Sequence, residues 1–191
     1  MRLILAASEA VPYCKTGGLA DVAGALSDAL AQRGHDVLLI LPLYRVIREK
    51  FPNVKFTGKT VFVAVGDRHE RVDLWEDDSR PGVRVVFIRC DAYFDRAGIY
   101  GESAALLYAD NDRRYALFSR AIFEAARGVG FRPEVIHVHD WQTGLVPAYQ
   151  RFVYRFDHYF RTTATVFTIH NLAYQGNFPP ASMAVTGLAP S

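Results

Sequence analysis

The chain has 191 residues, 50% of them hydrophobic and 22% charged, and its 22 Lys and Arg against 20 Asp and Glu leave a formal charge of +2. That length supports one well-buried core and is too short for two large domains, and so even a charge balance argues against a nucleic-acid surface or an acidic tail. The opening apolar run, residues 3–7, is not a signal peptide, no later run approaches the ~18 residues of a membrane span, and two cysteines, Cys14 and Cys90, are too few for a disulfide framework and suit a reducing compartment, so a cytoplasmic address is expected.

Residues 2–7 read as a buried first strand, and a turn-rich segment, 8–18, hands over to a helix at 19–32 in which Leu19, Val22, Ala23, Leu26, Ala29 and Leu30 recur at helical spacing. Gly34 is placed to end that helix, and residues 37–41 form a second, fully apolar strand that Pro42 stops. Strands apolar on both faces belong to parallel sheets covered by helices on each side. Segments 60–65, 71–75 and 83–88, separated by Gly66-Asp67 and residues 79–82, read as hairpin-connected strands forming an antiparallel insertion or edge extension. Residues 93–108 lack a sustained period and read as a loop with short helical turns, and 110–127 as a long amphipathic helix. Strand, helix and strand return at 135–139, from about 144 into the aromatic-rich 151–160, and at 164–169. Residues 177–191, with Pro179-Pro180 and no cap, read as a structural unit cut short. The expected fold is α/β, a Rossmann-like, mostly parallel sheet with helices on both faces and an antiparallel extension, in one domain spanning 1–191.

Ligands of open α/β sheets bind beyond the carboxyl ends of the strands, and three segments fall there. In the first, Lys15 to Asp21, Gly17 and Gly18 allow close backbone approach, the helix start offers unpaired N–H groups and Lys15 brings a positive charge, a combination that suits a phosphate. The bland alternative is a tight turn with a solvated lysine. The order of residues excludes both G-x-G-x-x-G and G-x-x-x-x-G-K-[ST]. In the second, His137 and His139 share a strand face and with Asp140 have the spacing of metal ligands; packed histidines, with Asp140 as the N-cap of the next helix and Trp141 on a pocket wall, are the favoured alternative. In the third, His170 and Asn171 end a strand beside Tyr174, polar groups next to an aromatic that suit sugar hydroxyls and ring faces. A lone histidine there is equally well a satisfied core residue.

Lys15-Thr16-Gly17-Gly18-Leu19-Ala20-Asp21-Val22, His139-Asp140-Trp141 and His170-Asn171-Leu172-Ala173-Tyr174-Gln175-Gly176, in this order and spacing, resemble the bacterial and plant ADP-glucose-dependent glycogen and starch synthases. Ser8-Glu9-Ala10-Val11-Pro12 and Tyr108-Ala109-Asp110-Asn111 match as well, so the resemblance covers essentially the whole chain. It implies a retaining glucosyltransferase of GT-B architecture, two Rossmann-like domains across a cleft, moving glucose from ADP-glucose to the non-reducing end of an α-1,4-glucan such as glycogen without metal or other cofactor. This chain would be the amino-terminal, acceptor-side domain, truncated at its carboxyl end and inactive without the nucleotide-sugar domain, which is its implied partner. On that resemblance Lys15, Gly17 and Gly18 face the diphosphate, His170 holds the transferred glucose and Asp140 sets the catalytic crevice. Asp21, Tyr100, Trp141 and Asn171 are candidate glucan contacts. A plant-type parent would place it in the plastid stroma. Two other readings remain, a non-catalytic glucan-binding module and a GT-B enzyme using another nucleotide sugar. Cys14, where the family more often has a small or aliphatic residue, reads as a partly buried, inert thiol, the alternative being a reactive thiolate stabilised by Lys15.

Overall fold

Leu3, Ile4, Leu5 and Ala6 leave almost no surface exposed on either face of the first strand, β1 (Arg2–Ala6), and the same holds for Val37 to Leu41 of β2 (Asp36–Pro42). Such strands are stable only at the centre of a sheet covered on both sides. A computed structural model describes residues 1–188 and places both there, in a seven-stranded sheet of order β3-β4-β5-β2-β1-β6-β7. The remaining strands are β3 (Lys55–Val65), β4 (Arg68–Asp77), β5 (Val83–Arg89), β6 (Val135–His139) and β7 (Ala164–Thr168). β5, β2, β1, β6 and β7 run parallel, while β4 pairs antiparallel with both β3 and β5. The expected antiparallel extension is therefore the β3–β4 hairpin, and β5, read from sequence as its third strand, also belongs to the parallel body.

The helices are α1 (Gly18–Gln32), α2 (Arg45–Lys50), α3 (Asp91–Phe94), α4 (Asn111–Gly128), α5 (Val146–Phe152) and α6 (Met183–Thr186). α1 links β1 to β2, whereas α4 carries the chain back across the sheet from β5 to β6 on the other side of β1. Right-handed crossovers put helices of opposite travel on opposite faces, so α1 covers one side and α4 with α5 the other.

The inner face of α1 keeps Leu19 and Ala23 of the expected stripe but is shifted toward small residues. Ala20, Ala23, Gly24 and Ser27 are buried, Leu26 and Leu30 are partly covered, and Val22 and Ala29 face out. Small residues win because the turn after β1 lies directly on the helix. Val11 N–H donates to Ala20 C=O at 3.0 Å, and a Cβ on Gly24 would stand 2.4 Å from Val11 Cγ2 and 2.8 Å from its carbonyl oxygen. α4 is enclosed on more sides than an amphipathic stripe implies. Arg114 is fully buried, giving hydrogen bonds to Tyr93 C=O at 2.7 Å, Ile99 C=O at 2.9 Å and Asn111 Oδ1 at 2.7 Å, and thereby ties the 91–108 loop over the helix.

Two readings are corrected. α2 is a helix that the sequence pattern does not announce, and the helix expected from 144 through 160 stops at Phe152. Beyond it Tyr154 and Phe160 fold back onto Phe123, stacked at 4.2 Å and edge-on at 5.1 Å, and Asp157 closes the turn by accepting Tyr159 N–H at 2.8 Å. Core aromatic contacts outbid the helical continuation.

Gly24→Ala tests the close packing of α1. Alanine would gain about 1 kcal/mol of helix propensity, but the overpacking against Val11 costs about 1–3 kcal/mol. A lower urea midpoint is expected, and a raised one would show that the turn after β1 yields freely.

Candidate functional site

The direction of travel reverses between β1 and β6, so the loops leaving their carboxyl ends part and leave a crevice. The crevice has a volume of about 550 Å³, and Gly17, Gly18, Tyr100, Asp140, Trp141, His170 and Asn171 all line it. Seven of the nine residues singled out from sequence thus meet around one space. The other two, Lys15 and Asp21, pair with each other, Lys15 Nζ standing 2.7 and 2.6 Å from the two carboxylate oxygens with both side chains about half exposed.

The wall formed by the first segment is held from beneath by Glu9, which stands out in the sequence only as part of a matching run. Glu9 is 3% exposed, and its carboxyl group accepts hydrogen bonds from Thr16 N–H, from Thr16 Oγ1–H at 2.9 and 3.0 Å, and from Tyr100 O–H at 3.3 Å. The same tyrosine oxygen is 2.7 Å from Ser8 Oγ. Burial pushes the Tyr100 phenol well above its usual range, so it stays a donor. Tyr100 therefore braces the wall as well as lining it.

Neither glycine of the pair is required by the protein's own packing. Gly17 occupies the N-cap position of α1 with φ −147° and ψ −168°, extended backbone open to any residue. A Cβ on Gly18 would meet nothing within 4 Å, and one on Gly17 only Glu9 Oε1 at 3.9 Å. The space they leave is the crevice itself, onto which the first amides of α1 open, groups that no helix satisfies internally.

At the opposite wall Asp140 does not cap a helix through its side chain, which corrects that reading. It occupies the N-cap position of the 3-10 turn Trp141–Thr143, but no side-chain cap bond forms; Oδ1 instead accepts His170 N–H at 2.7 Å, while Asp140 N–H donates to Thr168 C=O at 2.9 Å. The two bonds clamp the end of β6 to the end of β7. To make them Asp140 adopts φ 57° and ψ −177°, a region essentially reserved for glycine whose occupation costs of order 1–3 kcal/mol. Trp141 stands edge-on to Tyr115 at 5.0 Å, and the loop 171–176 closes against it. Gly176 has φ +64°, and a Cβ there would fall 2.6 Å from the indole ring, so both conformation and contact demand glycine. Asn171 accepts Ala173 N–H at 2.9 Å through Oδ1, closing an Asx turn beside His170.

The histidines form a row. His137 Nε2 is 2.8 Å from Thr168 Oγ1, and His139 Nδ1 is 3.0 Å from His170 Nε2. Burial lowers the pKa of His137, and that of His139 to about 3. Among the described residues no three His, Cys, Asp or Glu side chains are placed to hold a metal ion. Cys14 and Cys90 are both free and buried, and burial raises the Cys14 thiol to about 12 and Cys90 to about 11. No helix of the described residues is long and apolar enough to cross a membrane.

Residues 2–191 match the family described as starch synthase catalytic domain. The chain is 47% identical to the glycogen synthase of Syntrophotalea carbinolica over 191 residues, all of this chain and 39% of that protein. It is 46% identical to the glycogen synthase of Elusimicrobium minutum, over 98% of this chain and 38% of the relative. It therefore spans about two fifths of the length of these curated relatives. Among solved structures, the catalytic domain of starch synthase IV from Arabidopsis thaliana, bound to ADP and acarbose, superposes with a TM-score of 0.86 at 30% identity, covering 98% of this chain and 37% of the other. Sucrose-phosphate synthase from Thermosynechococcus elongatus, at 15% identity and a TM-score of 0.52, shares the fold.

Two outcomes are expected. Asp140→Gly and Asp140→Ala both lose the bond to His170, but only glycine relaxes the backbone. The glycine variant should be more stable by about 1–3 kcal/mol in urea unfolding, and equal midpoints would remove the strain. Cys14 should resist iodoacetamide at pH 8 in the native protein and react only on unfolding, as followed by mass spectrometry; rapid native alkylation would contradict its protonated state.

Proposed function

This chain belongs to the starch synthase catalytic domain family, and on that footing we propose that it is the amino-terminal, acceptor-side half of a GT-B glucosyltransferase that moves glucose from ADP-glucose to the non-reducing end of an α-1,4-glucan with retention of configuration. The observation that carries the proposal is the convergence of the Gly17-Gly18 wall, Asp140 and His170 on one crevice at the reversal of the sheet. Support also comes from the related starch synthase IV, whose structure holds a nucleotide diphosphate and an oligosaccharide analogue. The nucleotide-sugar domain that faces this crevice is the proposed partner, and the two buried, unpaired cysteines fit a cytoplasmic setting.

In the proposed mechanism the amides of Gly17, Gly18 and the first turn of α1 receive the diphosphate oxygens. Lys15 leaves its exposed pairing with Asp21 for the stronger anion, an exchange that costs little because such surface pairs contribute about 0–1 kcal/mol. The acceptor hydroxyl oxygen bonds to the anomeric carbon on the face from which the phosphate oxygen departs. The hydroxyl proton passes to that phosphate oxygen, and ADP leaves. Negative charge grows on the diphosphate as the bond breaks, so Lys15 and the amides stabilise the transition state more than the bound donor. His170 holds a glucose hydroxyl. Asp140 acts by fixing the His170 backbone, its Oδ1 already engaged there, and needs no role as nucleophile.

In the complete polypeptide, Lys15→Ala should lower kcat/KM for glucose transfer from ADP-glucose to glycogen by about 100-fold or more, measured by incorporation of radiolabelled glucose. A rate within a few-fold of the unaltered protein would sink the assignment of Lys15. Faster transfer from UDP-glucose would move the donor specificity to another nucleotide sugar.

A further inference from the structure

His139 has no solvent exposure, and it sits at the end of β6 behind the histidine assigned to the sugar. Its backbone is locked, Thr143 Oγ1 accepting from its N–H and donating to its C=O, both at 2.8 Å. Its ring lies 4.3 Å from that of His137, and inclines by 26° to that of His170 across the 3.0 Å contact between Nδ1 and His170 Nε2. Its own Nε2 is buried without a hydrogen-bond partner among the described residues.

A ring this deeply buried stays neutral, as the downward shift of its pKa by burial also indicates, and so carries one proton. Placed on Nε2, that proton would be a buried donor with no acceptor, which folded proteins avoid. Placed on Nδ1, it makes the bond to His170 and leaves only an unused lone pair behind. The Asp140 carboxylate accepts through Oδ1 from the His170 backbone N–H and makes no hydrogen bond to that residue's ring.

We infer that His139 is a positioning residue for His170: its Nδ1–H donates to His170 Nε2, fixes the plane of that ring and places the single proton of neutral His170 on Nδ1, the one nitrogen left to donate to a sugar hydroxyl oxygen. The orienting partner is itself uncharged. It sets a tautomer without adding a negative charge beside a crevice that receives a diphosphate, which a carboxylate in the same place would do. The inference rests on the proposed role of the crevice for its use, but not for its geometry.

Three substitutions in the complete polypeptide separate this role from simple packing. His139→Asn offers an amide nitrogen where Nδ1 stands, His139→Gln offers one where Nε2 stands, and His139→Leu offers no polar atom. The leucine and glutamine variants should lose about 10-fold or more in kcat with KM for ADP-glucose changed less than about 3-fold, while asparagine restores most of the rate. In parallel, nitrogen NMR of histidine-labelled protein should show His170 protonated on Nδ1 in the unaltered and asparagine forms, and shifted toward Nε2 in the leucine form. A wild-type His170 protonated on Nε2, or equal behaviour of all three variants in both readouts, overturns the inference. Should the variants fail to fold, the wild-type tautomer alone decides. A protein that transfers no glucose yet holds His170 as the Nδ1–H form would remove the glucosyltransferase reading and leave the positioning role standing.

Discussion

The parallel pairing of β1 with β2 on one side and β6 on the other is the constraint from which the rest of the molecule follows. A strand buried on both faces must be central, and the chain can reach both of its neighbours only by crossing the sheet once in each direction. The connections leaving β1 and β6 then diverge, and the gap between them is not an accident of side-chain size but a consequence of topology. The groups that line the crevice come from these diverging ends, from the segment after β7, from the start of α4 and from the 91–108 loop that Arg114 holds over α4.

The crevice is built by committing polar side chains to the backbone of its walls. Glu9 is spent on Thr16, Asp140 on the His170 N–H, and Thr143 on both backbone groups of His139. A buried carboxyl group such as that of Glu9 is tolerable only when hydrogen-bonded, and each of the three side chains ties down the backbone it touches. The strained backbone of Asp140 belongs to the same scheme. A relaxed residue at that point would not deliver a carboxylate oxygen to β7, and the bond it makes, charge-assisted and worth roughly 1.5–3 kcal/mol by the usual range, is of the size needed to hold a conformation that costs about as much.

The parts of this arrangement that were legible in the sequence are those governed by local rules. Two wholly apolar runs flanking a helix announce a buried parallel pair, and glycines at a strand-to-helix turn announce close approach; both places proved to be crevice or core. Where the sequence reading failed, a tertiary contact had overruled a local preference. The helix continuing through 153–160 had acceptable residues throughout, but Tyr154 and Phe160 gain more by packing on Phe123 than by extending α5. Leu19 and Ala23 of the expected stripe are buried, but Leu26 and Leu30 are only partly covered while Ala20 and Gly24 take the inner face, because Val11 lies against the helix, and the residue that decides this is nine or more positions away. Asp140 looked like an N-cap because capping is what an aspartate at a helix start usually does. Glu9 was legible only as part of a matching run and His139 only by such a run and by a spacing that suggested metal ligation, since the roles they take depend on partners 7 and 31 residues distant.

The two walls differ in how firmly they are held, and this difference has mechanical meaning. The Asp140–His170 wall is fixed by bonds between the ends of two sheet strands and by a row of imidazoles that are buried or backed by buried neighbours. On the other side Gly17 and Gly18 are fixed through Thr16, but the neighbouring Lys15 ammonium is held only by an exposed partner, an attachment that salt and competing anions weaken. A firmly held wall facing a cation on an exposed tether fits the proposed division of the site, in which one reacting centre is held still while charge leaves it. Asp21 keeps that cation beside the helix N-terminus, so under the proposed mechanism the positive charge already stands where the diphosphate would arrive.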